Sequence, residues 1–251
     1  MKKIVTIALC AVLLITACLF AGCGKKNENE LVMATNVAFP PYEYYENGKA
    51  TGIDVEIAEK IAAELGMTLR IEDVKFNAII DGVKGGKYDI GMAGMTVKPD
   101  RLENVNFTQS YAKGVQVVIV KENSPITSVD DLLAEGATYK VGVQTATTGD
   151  IYATEDCGKD RVVGYNDGAS AIQALLTDKV QCVIIDNEPA KSFVAANEGL
   201  KILETTYADE DYAICVAKEN TELLDKINVA LDKLKADGTI QKIIDKYIPA
   251  E

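Results

Sequence analysis

Twice along the 251-residue chain the same plan recurs: a helix, a tight turn, a short apolar strand, then a polar loop. The first copy is NAIIDGVKGGKYDIGMAGMT and the second is SAIQALLTDKVQCVIIDN. Strands alternating with amphipathic helices bury their apolar faces by laying helices on a sheet, which restricts the chain to the α/β class. Around the first copy, LVMAT (31–35) and LRIEDV read as strands. IDVEIAEKIAAELG between them reads as a helix with Ile57, Ile61 and Leu65 on one face and Gly66 to end it. FNAIIDGVKGG is a helix closed by glycines, YDIGMAG a strand, and GVQVVIVK (114–121) a long strand.

A second unit opens after the turn KENSP. SVDDLLAEG is a short helix capped by Ser128, followed by the strand YKVGVQT, the helix ASAIQALLTD and the strand KVQCVIID. YAICVAKEN (212–220) reads as one strand that echoes the earlier long one, since both end in Lys-Glu-Asn. Only helices follow, ELLDKINVALDKLKADG and TIQKIIDKYI, and two helices make a poor domain alone. They are expected to return and cover the first unit. The pattern therefore predicts two α/β lobes joined by a two-strand hinge, with 31–118 and 217–251 in lobe 1 and 119–216 in lobe 2. The alternative is a single continuous sheet.

The N-terminal segment stands apart from this pattern. Met1-Lys2-Lys3 is a basic head, and 4–20 is apolar apart from two threonines and two cysteines. Ala21 and Gly22 precede Cys23, after which the chain turns polar at GKKNENE. Residues 1–22 read as a secretory signal and 23–30 as a tether. A membrane span is the alternative, because the run sits at the lower length limit for one. FAGC resembles the lipobox of bacterial lipoproteins, with Phe20 where leucine is usual, and implies a lipid on Cys23. The protein is then expected outside the cytoplasm, tied to the outer face of the cell membrane by lipid alone.

Charge and residue usage exclude whole classes of chemistry. Without Lys2 and Lys3 the mature chain has 24 bases against 38 acids, a net of −14, which repels nucleic acid and anionic lipid. The chain has no histidine, so the usual catalytic triads and histidine metal sites are impossible, and no metal or cofactor is expected. Cys157, Cys182 and Cys215 are an odd set without close spacing, so neither a disulfide framework nor a zinc knuckle is evident. Cys182 and Cys215 lie in apolar runs and read as small core residues.

Ligands of open α/β sheets bind outside the carboxyl ends of the strands. There the first copy places GMAGMTVKPDR (91–101), which clears side chains at Ala93 and Gly94 and then supplies Thr96 and Arg101. The second places Asp186. Facing lobes would set Thr96 and Arg101 opposite Asp186, which matches the carboxylate and ammonium of a zwitterion. Each residue also has a plainer reading. Arg101 could pair with a surface acid, Asp186 could cap the helix after it, and Phe39 and Phe76 could be ordinary core. The loop QTATTGD (144–150) could be only a turn, or its threonines before a helix start could suit an anion.

Four segments together resemble a known family: ATNVAFPPYEYYENGKATGIDVEIAEKIAAELG, DIGMAGMTVKPDRLENVNFT, GVQTATTGD and VIIDNEP. They are similar to the extracellular solute-binding proteins, family 3, which serve polar amino acid ABC transporters. The resemblance covers essentially the whole mature chain. It implies a type II periplasmic-binding-protein-like fold whose lobes close over one free L-amino acid, and partners in a transmembrane permease and its ATPase. It further implies a monomer without enzymatic activity. Carried over by position, Phe39 and Phe76 resemble aromatic walls for the ligand side chain. Ala93, Gly94, Thr96 and Arg101 resemble the carboxylate site, which Thr147 and Thr148 meet from the second lobe. Gln144 resembles a ligand contact, and Asp186 the acid that takes the α-ammonium. Asn36 stands where many members have aspartate, which favours a neutral polar ligand such as glutamine over arginine; cystine-like ligands stay open. The loop QTATTG lacks the glycine more usual there. One alternative is an enzyme on the same scaffold, such as a cyclohexadienyl-type dehydratase, with Glu188 as a candidate acid. Another, a receptor's sensor domain, would need a spanning helix after the lobes.

Overall fold

The computed structural model describes residues 29–204 and 207–249. The signal segment, Cys23 and the tether up to residue 28 lie outside the described residues. Strand β1 (Glu30–Thr35) is buried from Leu31 onward and leads through a small hairpin, β2 (Tyr44–Glu46) and β3 (Lys49–Thr51), into helix α1 (Ile53–Glu64). Ile53, Ile57 and Ile61 recur every fourth residue and are all buried, which seats one face of α1 on the sheet. Gly66 (φ 70°) ends the helix: its N–H reaches the Ala63 carbonyl at 3.0 Å and the Met67 N–H reaches that of Ala62 at 2.8 Å. β4 (Thr68–Asp73) follows. A 3₁₀ turn at Phe76–Ala78 then runs into α2 (Ile79–Lys84), which stops at Gly85 and Gly86. β5 (Ile90–Gly91), α3 (Pro99–Leu102) and β6 (Val105–Phe107) complete this part.

β7 (Ala112–Lys121) starts the second sheet. After it come α4 (Val129–Leu133), β8 (Val141–Gln144), α5 (Thr148–Cys157) and β9 (Val162–Tyr165). Then come α6 (Gly168–Leu176), β10 (Cys182–Asp186), α7 (Asn187–Ala196), β11 (Leu200–Ile202) and β12 (Ala208–Tyr212). The start of α4 is a reciprocal cap: Ser128 accepts from the Asp131 N–H and Asp131 accepts from the Ser128 N–H. The chain returns through β13 (Cys215–Ala217) to α8 (Thr221–Ala236) and α9 (Thr239–Tyr247).

The strands form two main sheets, ordered β4-β1-β5-β13-β6 and β11-β7-β10-β8-β9, with β12 also on β7, so the single-sheet alternative is discarded. The fold is a type II periplasmic-binding-protein fold with two sheet-bearing lobes. The chain crosses between sheets twice, between β6 and β7 and between β12 and β13. The crossings lie side by side: Thr108 N–H donates to Ile214 O at 2.9 Å, and Tyr111 N–H to Tyr212 O at 2.9 Å. The final helices lie against the first sheet's α1, where Lys233 pairs with Glu64 at 2.6 Å.

Two expected strands come out differently. The run 212–220 is not one strand: it ends one sheet at Tyr212 and enters the other at Cys215, and burial on both sides of Ala213–Ile214 hides the break from hydropathy. YDIGMAG keeps a ladder only at Ile90–Gly91, because by Gly94 the backbone has turned to φ 51°. Cys157, Cys182 and Cys215 are free and buried, and burial pushes the thiols of Cys182 and Cys215 up to about 12, which leaves them inert.

Candidate functional site

Loops from both sheets meet at the carboxyl ends of β1, β5, β8 and β10. From the first comes Arg101 on α3, whose start is fixed by Pro99. Arg101 is only 4% exposed. Nη1 donates to Thr96 O at 2.8 Å and Nη2 to Ala146 O at 3.0 Å, the latter on the second sheet's loop. The guanidinium lies 5.4 Å from the centre of the Phe76 ring. Among the described residues no carboxylate comes within ion-pair distance, so the surface-acid reading of Arg101 falls. Burial lowers its pKa, yet a guanidinium starts so high that it stays cationic.

Phe39 and Gly94 form one wall. A Cβ on Gly94 would fall 2.8 Å from Phe39 Cε1, so only glycine lets this ring and backbone meet. Phe39 stacks on Tyr42 with centroids 5.9 Å apart. The Gly94 N–H is already committed to Asp54 Oδ2 at 2.8 Å, which also accepts the Tyr111 hydroxyl at 2.8 Å. What Gly94 can still offer a ligand is its carbonyl. Burial raises the Asp54 carboxyl to about 6, against the opposing pull of those two donors.

The second sheet contributes the loop from Gln144 to Thr148. Gln144 Nε2 donates to Asn36 Oδ1 at 2.9 Å, tying β8 to the end of β1 across the cleft. Thr147 caps α5: its Oγ1 accepts from the Asp150 N–H at 3.4 Å and donates to Gln144 O at 2.8 Å. The first amides of α5 thus belong to a helix N-terminus, a natural seat for an anion. Ala146 makes the turn at φ 67° without the help of a glycine, and its N–H is held by Asp150 Oδ2 at 2.9 Å.

Asp186 stands at the N-cap position of α7 but makes no side-chain cap bond. It is 7% exposed and accepts instead from the Tyr212 hydroxyl, which discards the cap reading. Burial, then the nearby Glu210, raise its pKa.

Asn36, Phe39, Phe76, Ala93, Gly94, Thr96, Arg101, Gln144, Thr147, Thr148 and Asp186 all line one cavity. Sequence reasoning missed one more lining residue, Glu43. It sits in the aromatic run FPPYEYY, where a lone acid reads as exposed, yet it is 1% exposed. Burial, then Asp54, hold its carboxyl well above the usual range. Glu188 does not line the cavity: its Oε1 accepts from Asn187 Nδ2 and Lys191 Nζ, each at 3.0 Å. Among the described residues no cluster of acids and cysteines could hold a metal ion.

Residues 31–250 match the model of the bacterial extracellular solute-binding proteins, family 3. The chain belongs to this family. A similar member is the arginine-binding extracellular protein ArtP of Bacillus subtilis, 28% identical over the whole of both chains. Another is the ABC transporter arginine-binding protein 1 of Escherichia coli, 29% identical over 99% of this chain and all of the relative. These relatives are solute-binding proteins, not enzymes. Among solved structures, an ancestral arginine-binding protein bound to glutamine superimposes with a TM-score of 0.83 at 35% identity, covering 90% of this chain and all of that one. The arginine-, lysine-, histidine-binding protein ArtJ of Geobacillus stearothermophilus gives 0.83 at 29% identity, covering 88% and 96%.

Proposed function

We propose that this family 3 protein is the substrate-binding lipoprotein of an ABC importer, capturing a free polar L-amino acid between its lobes and delivering it to a permease driven by a separate ATPase. One observation carries the reading. Arg101 is a buried cation without an acid partner, on a cavity that also holds the buried acid Asp186. A zwitterion supplies both missing charges: its carboxylate would take Arg101, the helix start at Thr147 and Thr148, and Thr96; its ammonium would take Asp186 and the Gly94 carbonyl.

A glutamine-like neutral side chain is favoured. Asn36 and Gln144 present amides rather than charges, and Glu43 is held toward its neutral form. Asp186 is then the acid of the lining that the α-ammonium uses. Arginine comes second, supported by the names of the relatives and by the flat faces of Phe39 and Phe76. Calorimetric titration of the protein, stripped of ligand by unfolding and refolding, against the twenty amino acids plus ornithine, citrulline and cystine tests the reading. Tight binding of one or a few, without turnover of prephenate or arogenate, is the expected result. The same reading makes the chain a monomer anchored through lipid on Cys23. Mass spectrometry of the N-terminal peptide checks this, since an unmodified Cys23 in membrane fractions would refute the anchor.

A further inference from the structure

β7 pairs with β10 on one side and β12 on the other, and it carries Gln116 and Gly114 on one face. Asp186 stands opposite Gln116, and Glu210 opposite Gly114. Residues directly opposite in antiparallel strands share a face, as do residues two apart, so Asp186, Gln116, Gly114 and Glu210 form one patch. The missing side chain at Gly114 opens the middle of it. A Cβ there would fall 2.4 Å from the Tyr212 hydroxyl, which fills the gap to reach Asp186. The Glu210 carboxyl lies on the same patch as Asp186, with Gln116 Nε2 donating to it at 3.0 Å.

Both acids are buried, at 7% and 5% exposure, and among the described residues neither has a lysine or arginine within ion-pair distance. Their donors are neutral: Tyr212 for Asp186, and Gln116 Nε2 at 3.0 Å for Glu210 Oε2. Glu210 Oε1 has no partner, and neither does Gln116 Oε1. Burial first, and then the neighbouring Glu210, favour the protonated form of Asp186, and a proton kept there supplies a donor where acceptors are left over. The other groups facing Asp186 are Tyr42, Tyr212, Glu43 and Arg101. The tyrosines are held well above their ordinary range by burial and Glu43 is shifted toward its neutral form, so none of these removes the proton. Arg101 is committed to two carbonyls.

We propose that Asp186, set beside Glu210 on this patch, keeps its proton until an α-ammonium arrives, and that capture of the amino acid releases this proton to solvent. Glu210 is a positioning residue: it touches no ligand and sets the charge that Asp186 presents. The inference rests on the reading of Asp186 as the ammonium partner. The charges balance, because the ammonium brings one positive charge as the proton takes one away.

Titrating the full-length chain with L-glutamine and with L-arginine at pH 7, in two buffers of unlike ionisation enthalpy, counts the protons released. Between about a half and one proton should leave per binding event, and affinity should fall by up to about tenfold per pH unit toward pH 5. Glu210→Gln keeps the side-chain shape and removes the acid beside Asp186 on this patch, so release should fall and the pH profile should flatten. Glu210→Leu serves if the amide variant does not fold. Equal heats in the two buffers for the wild type, or undiminished release from a folded variant, overturn the proposal. Binding of neither amino acid refutes the underlying reading instead.

Discussion

Arg101 Nη2 donates to the Ala146 carbonyl at 3.0 Å, and this bond joins the loop after the first sheet's β5 to the loop after the second sheet's β8. One guanidinium therefore senses the cavity and the approach of the two lobes together. In a closing receptor, contacts made to both lobes at once convert binding into closure.

Arg101→Ala should nearly abolish amino acid binding. Leaving a buried charged partner unpaired costs on the order of 2–5 kcal/mol. Arg101→Lys should lose most of this as well, because an ammonium cannot hold Thr96 O, Ala146 O and a carboxylate in one plane. Titration calorimetry decides it, and an affinity within threefold of wild type for Arg101→Ala would sink the carboxylate assignment.

Ala146→Gly should raise stability. A left-handed conformation costs an L-residue roughly 1–2 kcal/mol, and Ala146 bears that cost at φ 67°. Glycine removes it and gives back about 0.4–1 kcal/mol through the looser unfolded chain. The net gain of about 0.5–1 kcal/mol corresponds to a rise in Tm of roughly 1–4 °C for a chain of this size. Ala146→Val should move Tm the opposite way, since β-branching makes positive φ harder. Scanning calorimetry on the three proteins checks the order.

Asp54 should make the fold less stable as pH rises through the weakly acidic range. Its folded-state pKa of about 6 lies above the ordinary aspartate value of 3.8, so the native state binds more protons than the unfolded chain in that window. Stability from this group is intact below pH about 4 and is lost as pH climbs to about 6, by roughly 3 kcal/mol in total. Glu43 acts in the same direction. Denaturant melts of wild type and Asp54→Asn from pH 4 to 7 should therefore converge or cross as pH rises. A constant difference across the range would refute the assignment.

The sequence was most legible where chemistry sits at strand ends, because the helix–turn–strand plan places Thr96, Arg101, Gln144 and Asp186 there whatever the details of packing. It was least legible where a residue's role depends on a distant partner. Asp54 reads as an ordinary first-turn acid of a helix, and nothing local says that it will take the N–H of Gly94, 40 residues away. Glu43 fails for the same reason, its buried carboxyl facing Asp54 on α1, which lies outside the run FPPYEYY. The break at Ala213–Ile214 escaped because a hinge between two buried strands leaves no polar residue to mark it.

Lys98 and Tyr152 provide a cross-lobe contact outside the cavity lining. Lys98 Nζ lies 4.5 Å from the centre of the Tyr152 ring and 3.4 Å from its hydroxyl. Neither residue lines the cavity, so the contact cannot tell one ligand from another. It forms only when the lobes are together, and a partly exposed cation–π contact contributes about 0.5–1 kcal/mol. Lys98→Met should therefore weaken every amino acid that binds by a common factor of about two to five, through faster release, with the ranking of ligands unchanged. Stopped-flow dissociation for two different amino acids tests this. A change in one ligand only would place Lys98 in recognition rather than in closure.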